Sequence, residues 1–185
     1  MAIGHDATAA IGTALRSVRA GDHKLLSSVL ATVAQRTVEV SSPAFPDGGR
    51  LPGSATIEGE GAPPAIRWSG VPAQAQSLAL ACEDPDAPLP RPYVHWLVWG
   101  IPATVTRLDP WELDGLREGK NSTMRRGYAP AAPPRGHGLH HYHFQVFALD
   151  EPLDVGEGAG RSSLLHAMRG HVVAWGETVG VYERR

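Results

Sequence analysis

Two separated stretches of the chain carry side chains suited to holding a small charged group. The first, "DPDAPLPRPYVHW" from Asp84 to Trp96, sets Asp84 and Asp86 around Pro85 and ends on His95. The second, "APPRGHGLHHY", runs through prolines and glycines into His140 and Tyr142. An aspartate locked beside proline makes a rigid turn that fixes where its carboxylate points. Imidazole N–H, phenol O–H and loop backbone N–H groups can all donate to phosphate or carboxylate. A carboxylate beside a histidine orients the ring and favours its protonated, donating form. Together these groups suit an oxyanion.

Strands must position them. "SLALACE" (77–83) and "YVHWLVWGIP" (93–102) read as buried strands on either side of the acidic turn. "LHHYHFQVFALD" (139–150) alternates, with His140, Tyr142, Phe144 and Val146 on one face and His141, His143, Gln145 and Phe147 on the other. If the strands entered by His95 and His140 are neighbours, Asp84, His95, His140 and Tyr142 converge on one pocket walled by prolines. Spacing alone equally permits a plainer arrangement, in which the aspartates form turns and the histidines are half-exposed strand ends.

The rest of the chain predicts a mainly β protein. "TVEVSS", "SATIEGEG", "AIRWSGVP" and the closing "HVVAWGETVGVYER" read as short strands, and the aperiodic excursion between 106 and 138 holds at most one short strand, near 121–124. Ahead of them, Ile11, Leu15 and Val18 recur at helical spacing up to Gly21. Asp22 can then cap a second helix through Leu25, Leu26, Val29, Leu30 and Val33. "GRSSLLHAMRG" is a short helix stopped at Gly170. Many strands at short spacing predict an antiparallel β-sandwich over 37–185, preceded by a helical extension over 1–36. The helices of that extension are expected to dock on the domain or on a second subunit, which leaves room for a homodimer.

Composition excludes several classes. A net charge of -2 over 185 residues supplies no basic field for nucleic acid. Cys82 is the sole cysteine, so the expectation is an inert buried thiol, with no disulfide and no cysteine-based metal cage. No apolar run approaches the roughly 20 residues of a membrane helix, and the first residues do not read as a leader, so a cytoplasmic protein without cofactor is expected. The alternative is a hydrolase or metal-dependent enzyme built on the His/Asp cluster. Against it, His140 points away from His141 and His143 on one strand, and neither Ser122 nor Thr123 sits in a nucleophile elbow.

These motifs carry a resemblance. "DPDAP", the "HW" at His95-Trp96 and "PPRGHGLHHYHFQVFALD" resemble signature segments of the phosphatidylethanolamine-binding protein family, closest to its bacterial Raf-kinase-inhibitor-like branch. "FPDGGRLPG", "IRWSGVP", Asn121-Ser122, Gly127-Tyr128 and "GVYER" follow in the same order, from Val38 to the C-terminus. The resemblance implies a β-sandwich with an anion pocket at one edge, for phosphate or a phosphorylethanolamine-like head group, and regulation of a partner protein such as a kinase. It assigns the ligand site to Asp84, Pro88, His95, Pro133, Pro134, His140 and Tyr142, with no metal. The chain departs from the family where it has Ala129-Pro130-Ala131-Ala132 in place of glycines before the proline pair, and His141 in place of an arginine. Proline has no N–H, so Pro130 removes one donor from the loop.

Overall fold

The computed structural model describes residues 3–30 and 34–184, with side chains from residue 8 onward. Among the described residues, three α-helices, α1 (Ile3–Ala14), α2 (Leu26–Leu30) and α3 (Arg161–Met168), accompany nine strands. These strands are β1 (Gln35–Arg36), β2 (Glu39–Ser41), β3 (Ile66–Ser69), β4 (Ser77–Asp84), β5 (Tyr93–Pro102), β6 (Arg107–Leu108), β7 (Arg117–Glu118), β8 (His140–Leu149) and β9 (Val172–Tyr182). They form a six-stranded sheet in the order β1-β9-β8-β4-β5-β7 and a three-stranded sheet in the order β2-β3-β6.

The two sheets share one core. Ile66 and Trp68 of β3 and Leu108 of β6 pack with Leu78, Leu80, Trp96, Val98, Phe144 and Val146 of the large sheet. On the outer face of the large sheet, Leu26, Leu30, Leu164 and Met168 from α2 and α3 cover Ala79, Leu97, Trp99 and Phe147. Strand β4 therefore lies between two apolar layers and is buried along its whole length. That is why "SLALACE" is continuously apolar rather than alternating.

The expected antiparallel sandwich is corrected in one respect. Gln35 and Arg36 of β1 pair in parallel with Ala174 and Trp175 of β9, so the large sheet is mixed. The two strands come from opposite ends of the described chain, so no tight hairpin joins them and imposes an antiparallel pairing. The stretch expected as a strand at 54–61 is a short 3-10 turn at Gly53–Ala55 followed by further turns. The excursion holds no strand near 121–124, where the chain makes a turn instead. The Asn121 carboxamide oxygen accepts from the Thr123 N–H and hydroxyl, and its amide donates to the Gly127 carbonyl. That local alternative to sheet pairing is characteristic of asparagine.

The first helix docks by an unexpected face. Ile11, Leu15 and Val18 remain exposed, and the helix instead presents Gly12, where an added Cβ would overlap the Arg135 carbonyl oxygen. Backbone can approach that closely only where no side chain intervenes. Of the second predicted helix, Leu26 to Leu30 are helical and Val33 lies outside the described residues. Gly170, at φ +84°, follows α3 as expected of a C-terminal cap. No helix among the described residues is long and apolar enough to cross a membrane.

Candidate functional site

Strand β4 ends at Asp84, and the proline-rich turn that follows delivers the chain to β5. The turn is held from within, because Asp84 Oδ1 accepts the Asp86 backbone N–H at 2.8 Å. It is also held from outside. Ala20 and Gly21 donate their N–H groups to the Ala87 and Pro85 carbonyls, and the Arg19 guanidinium pairs with Asp86. The four prolines of this turn thus define a rim.

Two strands flank β4 and bring the histidines to this rim. On one side β5 pairs Tyr93 with Asp84, and on the other β8 pairs His143 with Glu83. The strands of His95 and His140 are therefore separated by β4 rather than adjacent, yet their histidines converge. A β-bulge makes this possible. The register passes from Cys82 opposite Trp96 to Glu83 opposite Val94, which leaves His95 as the extra residue. A bulge re-aims the side chain it carries. His95 and Trp96 both turn to the inner side, where the His95 ring lies 5.0 Å, edge-on, from that of Tyr142.

The result is a cavity of about 240 Å³ lined by Asp84, Pro88, His95, Pro133, Pro134 and His140 together with Ala87, Leu89, Tyr93, Pro130 and Ala132. Six of the seven residues assigned from sequence line it. Tyr142 does not; it packs behind His95, fully buried, and its hydroxyl has no hydrogen-bond partner among the described residues. Pro130 and Ala132, noted as departures from the family pattern, form part of the wall.

Hydrogen bonding fixes the chemistry. His140 Nδ1 is 2.7 Å from Asp84 Oδ2, and both side chains are almost wholly buried. On its other side, His140 Nε2 lies 2.7 Å from His137 Nδ1. His137 Nε2 lies 2.9 Å from the Leu15 carbonyl oxygen, and the ring is fully buried. His95 Nδ1 donates to the Ala129 carbonyl oxygen at 2.7 Å. Burial lowers the His95 pKa, against the opposing pull of the Asp84 charge and the Ala129 bond, so the ring is neutral near pH 7. With Nδ1 donating, the remaining nitrogen of a neutral His95 is an acceptor. That differs from the sequence expectation of a donor. Burial also raises the pKa of Tyr142, with Asp84 adding to the effect.

The neighbouring histidines are occupied elsewhere. His141, in the position of the family's arginine, faces outward and binds Asp86 Oδ2 through Nδ1, while His143 binds Glu177. The Asp86 carboxyl, pushed up by its own burial, is held low on balance by His141 and Arg19. Among the described residues no three of His, Cys, Asp and Glu are grouped to hold a metal ion. Ser122 and Thr123 do not line the cavity; the Ser122 hydroxyl accepts the Val94 N–H. Cys82 is buried, and burial raises its thiol pKa well above the usual value. Sequence reasoning missed His137 as part of the site, although it sits in the same proline-bordered stretch three residues before His140. A residue at that spacing reaches back only because Gly136 and Gly138, both at positive φ, let the chain fold around it.

Comparison with known proteins agrees with this architecture. The family profile described as phosphatidylethanolamine-binding protein matches residues 41–183. A UPF0098 protein of Methanothermobacter thermautotrophicus is 42% identical over 147 residues, spanning 76% of this chain and 95% of that protein. The crystal structure of the phosphatidylethanolamine-binding protein homologue CT736 from Chlamydia trachomatis has TM-score 0.76 and 34% identity, and covers 82% of this chain and all of its own. The crystal structure of YbcL from E. coli has TM-score 0.75 and 32% identity, and covers 80% of this chain and 99% of its own. On fold, sequence and the order of its motifs, the chain belongs to the phosphatidylethanolamine-binding protein family.

Proposed function

We propose that the cavity binds a small phosphate-bearing group, inorganic phosphate or a phosphorylethanolamine-like head group, and that the protein acts as a binding module rather than an enzyme. The observation that carries this reading is the convergence of Asp84, His95 and His140 on one proline-walled cavity of about 240 Å³. That volume lies below the roughly 300–1,000 Å³ of pockets for drug-sized ligands, so it suits a head group and not a whole lipid. His95, as a neutral acceptor, favours a guest that brings its own proton, such as the P–O–H of hydrogen phosphate or the ammonium of ethanolamine.

Catalysis is less well supported by the same contacts. His140 has both ring nitrogens engaged by Asp84 and His137, and no serine, threonine or cysteine lines the cavity as a nucleophile. The chemistry of the site selects no protein partner, kinase included. Its test is histidine side-chain NMR on addition of phosphate or phosphorylethanolamine. The His95 resonances are expected to shift in the wild type and to shift less in His140→Ala. Unchanged spectra at millimolar ligand in both proteins would refute the proposal.

A further inference from the structure

The hydrogen bonds behind the cavity can be counted in protons. Leu15 offers a carbonyl oxygen, which only accepts, so His137 Nε2 must carry a hydrogen. The contact between His137 Nδ1 and His140 Nε2 requires a second hydrogen, and that between His140 Nδ1 and Asp84 Oδ2 a third. Two neutral imidazoles and a carboxylate supply only two. The chain of bonds seen in the structure therefore holds one extra proton, and the trio of Asp84, His140 and His137 is electrically neutral.

The extra proton is demanded by the N-terminal segment. With the Leu15 carbonyl withdrawn, His137 can move its hydrogen to Nδ1 and donate it to His140 Nε2, while His140 donates from Nδ1 to Asp84. Both remaining bonds are then made with two protons, and the trio carries one negative charge. We infer that docking of residues 9–21 is coupled to uptake of a proton by Asp84, His140 and His137, and that this proton prepares the cavity for an anion. The inference rests on the anion-site reading only for its second half; the proton count stands without it.

The docking contacts suit such a coupling. The segment is tied to the rim by Gly12 against Arg135, by Arg19 on Asp86, and by the Ala20 and Gly21 amides on the turn carbonyls. The trio is faced by Arg19 from this segment, by Cys82 beside Asp84, by Tyr93 and His95 from β5 and by Tyr142 from β8, while Asp86 donates its backbone N–H to Asp84 and its carboxylate is taken by Arg19 and the outward-facing His141. Burial first, and then the charge on His140 and on Arg19, lowers the His137 pKa, which keeps that ring the neutral member. By reciprocity, a guest anion that favours the neutral trio also tightens the docking of the segment.

The test uses the full chain with 15N-labelled histidine, and counts slowly exchanging imidazole protons on His137 and His140. Wild type is expected to show three at pH 6. Gly12→Val, which prevents close approach to Arg135, is expected to show two at neutral pH, with lost amide protection at Ala20 and Gly21. In the wild type, protection of those amides, corrected for intrinsic exchange, should fall by up to about tenfold per pH unit where the third proton leaves, the slope set by linkage to one proton. Phosphate should bind Gly12→Val about tenfold or more weakly near neutral pH, within the range of allosteric couplings, and the gap should close on acidification. Should Gly12→Val fail to fold, Arg19→Ser provides the comparison. Removing that cation by itself favours keeping the proton, so a drop to two there can come only from undocking. Two protons in the docked wild type, or three in a variant whose amides are free, would overturn the inference. Phosphate that leaves every protein unperturbed would overturn the anion-site reading and leave the proton count standing.

Discussion

Asp84 Oδ2 and His140 Nδ1 stand 2.7 Å apart with side chains only 5% and 1% exposed, joining the end of β4 to the start of β8. A pair so enclosed has exchanged hydration for one partner, and loss of that partner strands the other. His140→Ala should therefore destabilise the protein by about 3–5 kcal/mol in urea denaturation, the cost typical of breaking a buried pair from one side. Adding Asp84→Ala should recover part of that loss, so the double variant costs less than the two single variants summed. A loss below about 1 kcal/mol, the range of exposed pairs, would show that the two groups are solvated in solution.

Glu83 is the corresponding hub on the outer face. Fully buried, it accepts from the Leu26 N–H at 2.7 Å, from the Gln145 amide at 3.0 Å and from the Arg161 guanidinium. Three elements, α2, β8 and α3, are thereby pinned to one carboxylate. Arg161→Met keeps most of the side-chain volume but leaves the acid without its cation. The expected cost is again about 3–5 kcal/mol. Hydrogen exchange should localise part of it, with faster exchange at Leu26 and Ser27 than at the amides of β4. Uniform acceleration across the sheet would contradict the local assignment.

His95 makes stability depend on pH in a definite direction. Its folded pKa is lowered, chiefly by burial, so below about 6.5, the ordinary histidine value, the unfolded chain binds the proton more readily. Stability contributed by neutral His95 is complete above that value and is lost as the pH falls from it down through the lowered folded value. Denaturant midpoints of the wild type should drop relative to His95→Gln between pH 7 and 5. Phosphate should flatten the difference, because a bound anion favours the charged ring. Parallel pH profiles for the two proteins would contradict the burial argument.

The two proline-bordered segments were legible one by one, because turn chemistry and strand alternation are local properties, but their convergence was expected from neighbouring strands and β4 in fact lies between them. The parity of β8 follows from its sequence, and Tyr142, Phe144 and Val146 are indeed on one face and Phe147 on the other. The bulge at His95 was not legible. Strict alternation puts His95 with Leu97 on the outer face, and only the register against Cys82 and Glu83 reveals the extra residue. The Leu15–His137 contact spans 122 positions, and no periodicity encodes an approach that depends on the missing side chain of Gly12. Likewise, the apolar stripe of Ile11, Leu15 and Val18 has the spacing of a buried face but stays exposed, since the helix docks through its small residues instead.

The Tyr142 hydroxyl separates stability from binding. It is fully buried, surrounded by Asp84, Tyr128, Cys82 and Tyr182, and has no partner among the described residues. Burying a hydroxyl without a hydrogen bond costs roughly 1–3 kcal/mol on the scale of protein substitutions. Tyr142→Phe removes that penalty, keeps the ring against His95, and should be as stable as wild type or more so without ligand. Because the hydroxyl does not line the cavity, the same change should leave phosphate affinity unchanged. Loss of stability in Tyr142→Phe would show that the hydroxyl has a partner in solution, and weakened phosphate binding would show that it reaches the cavity.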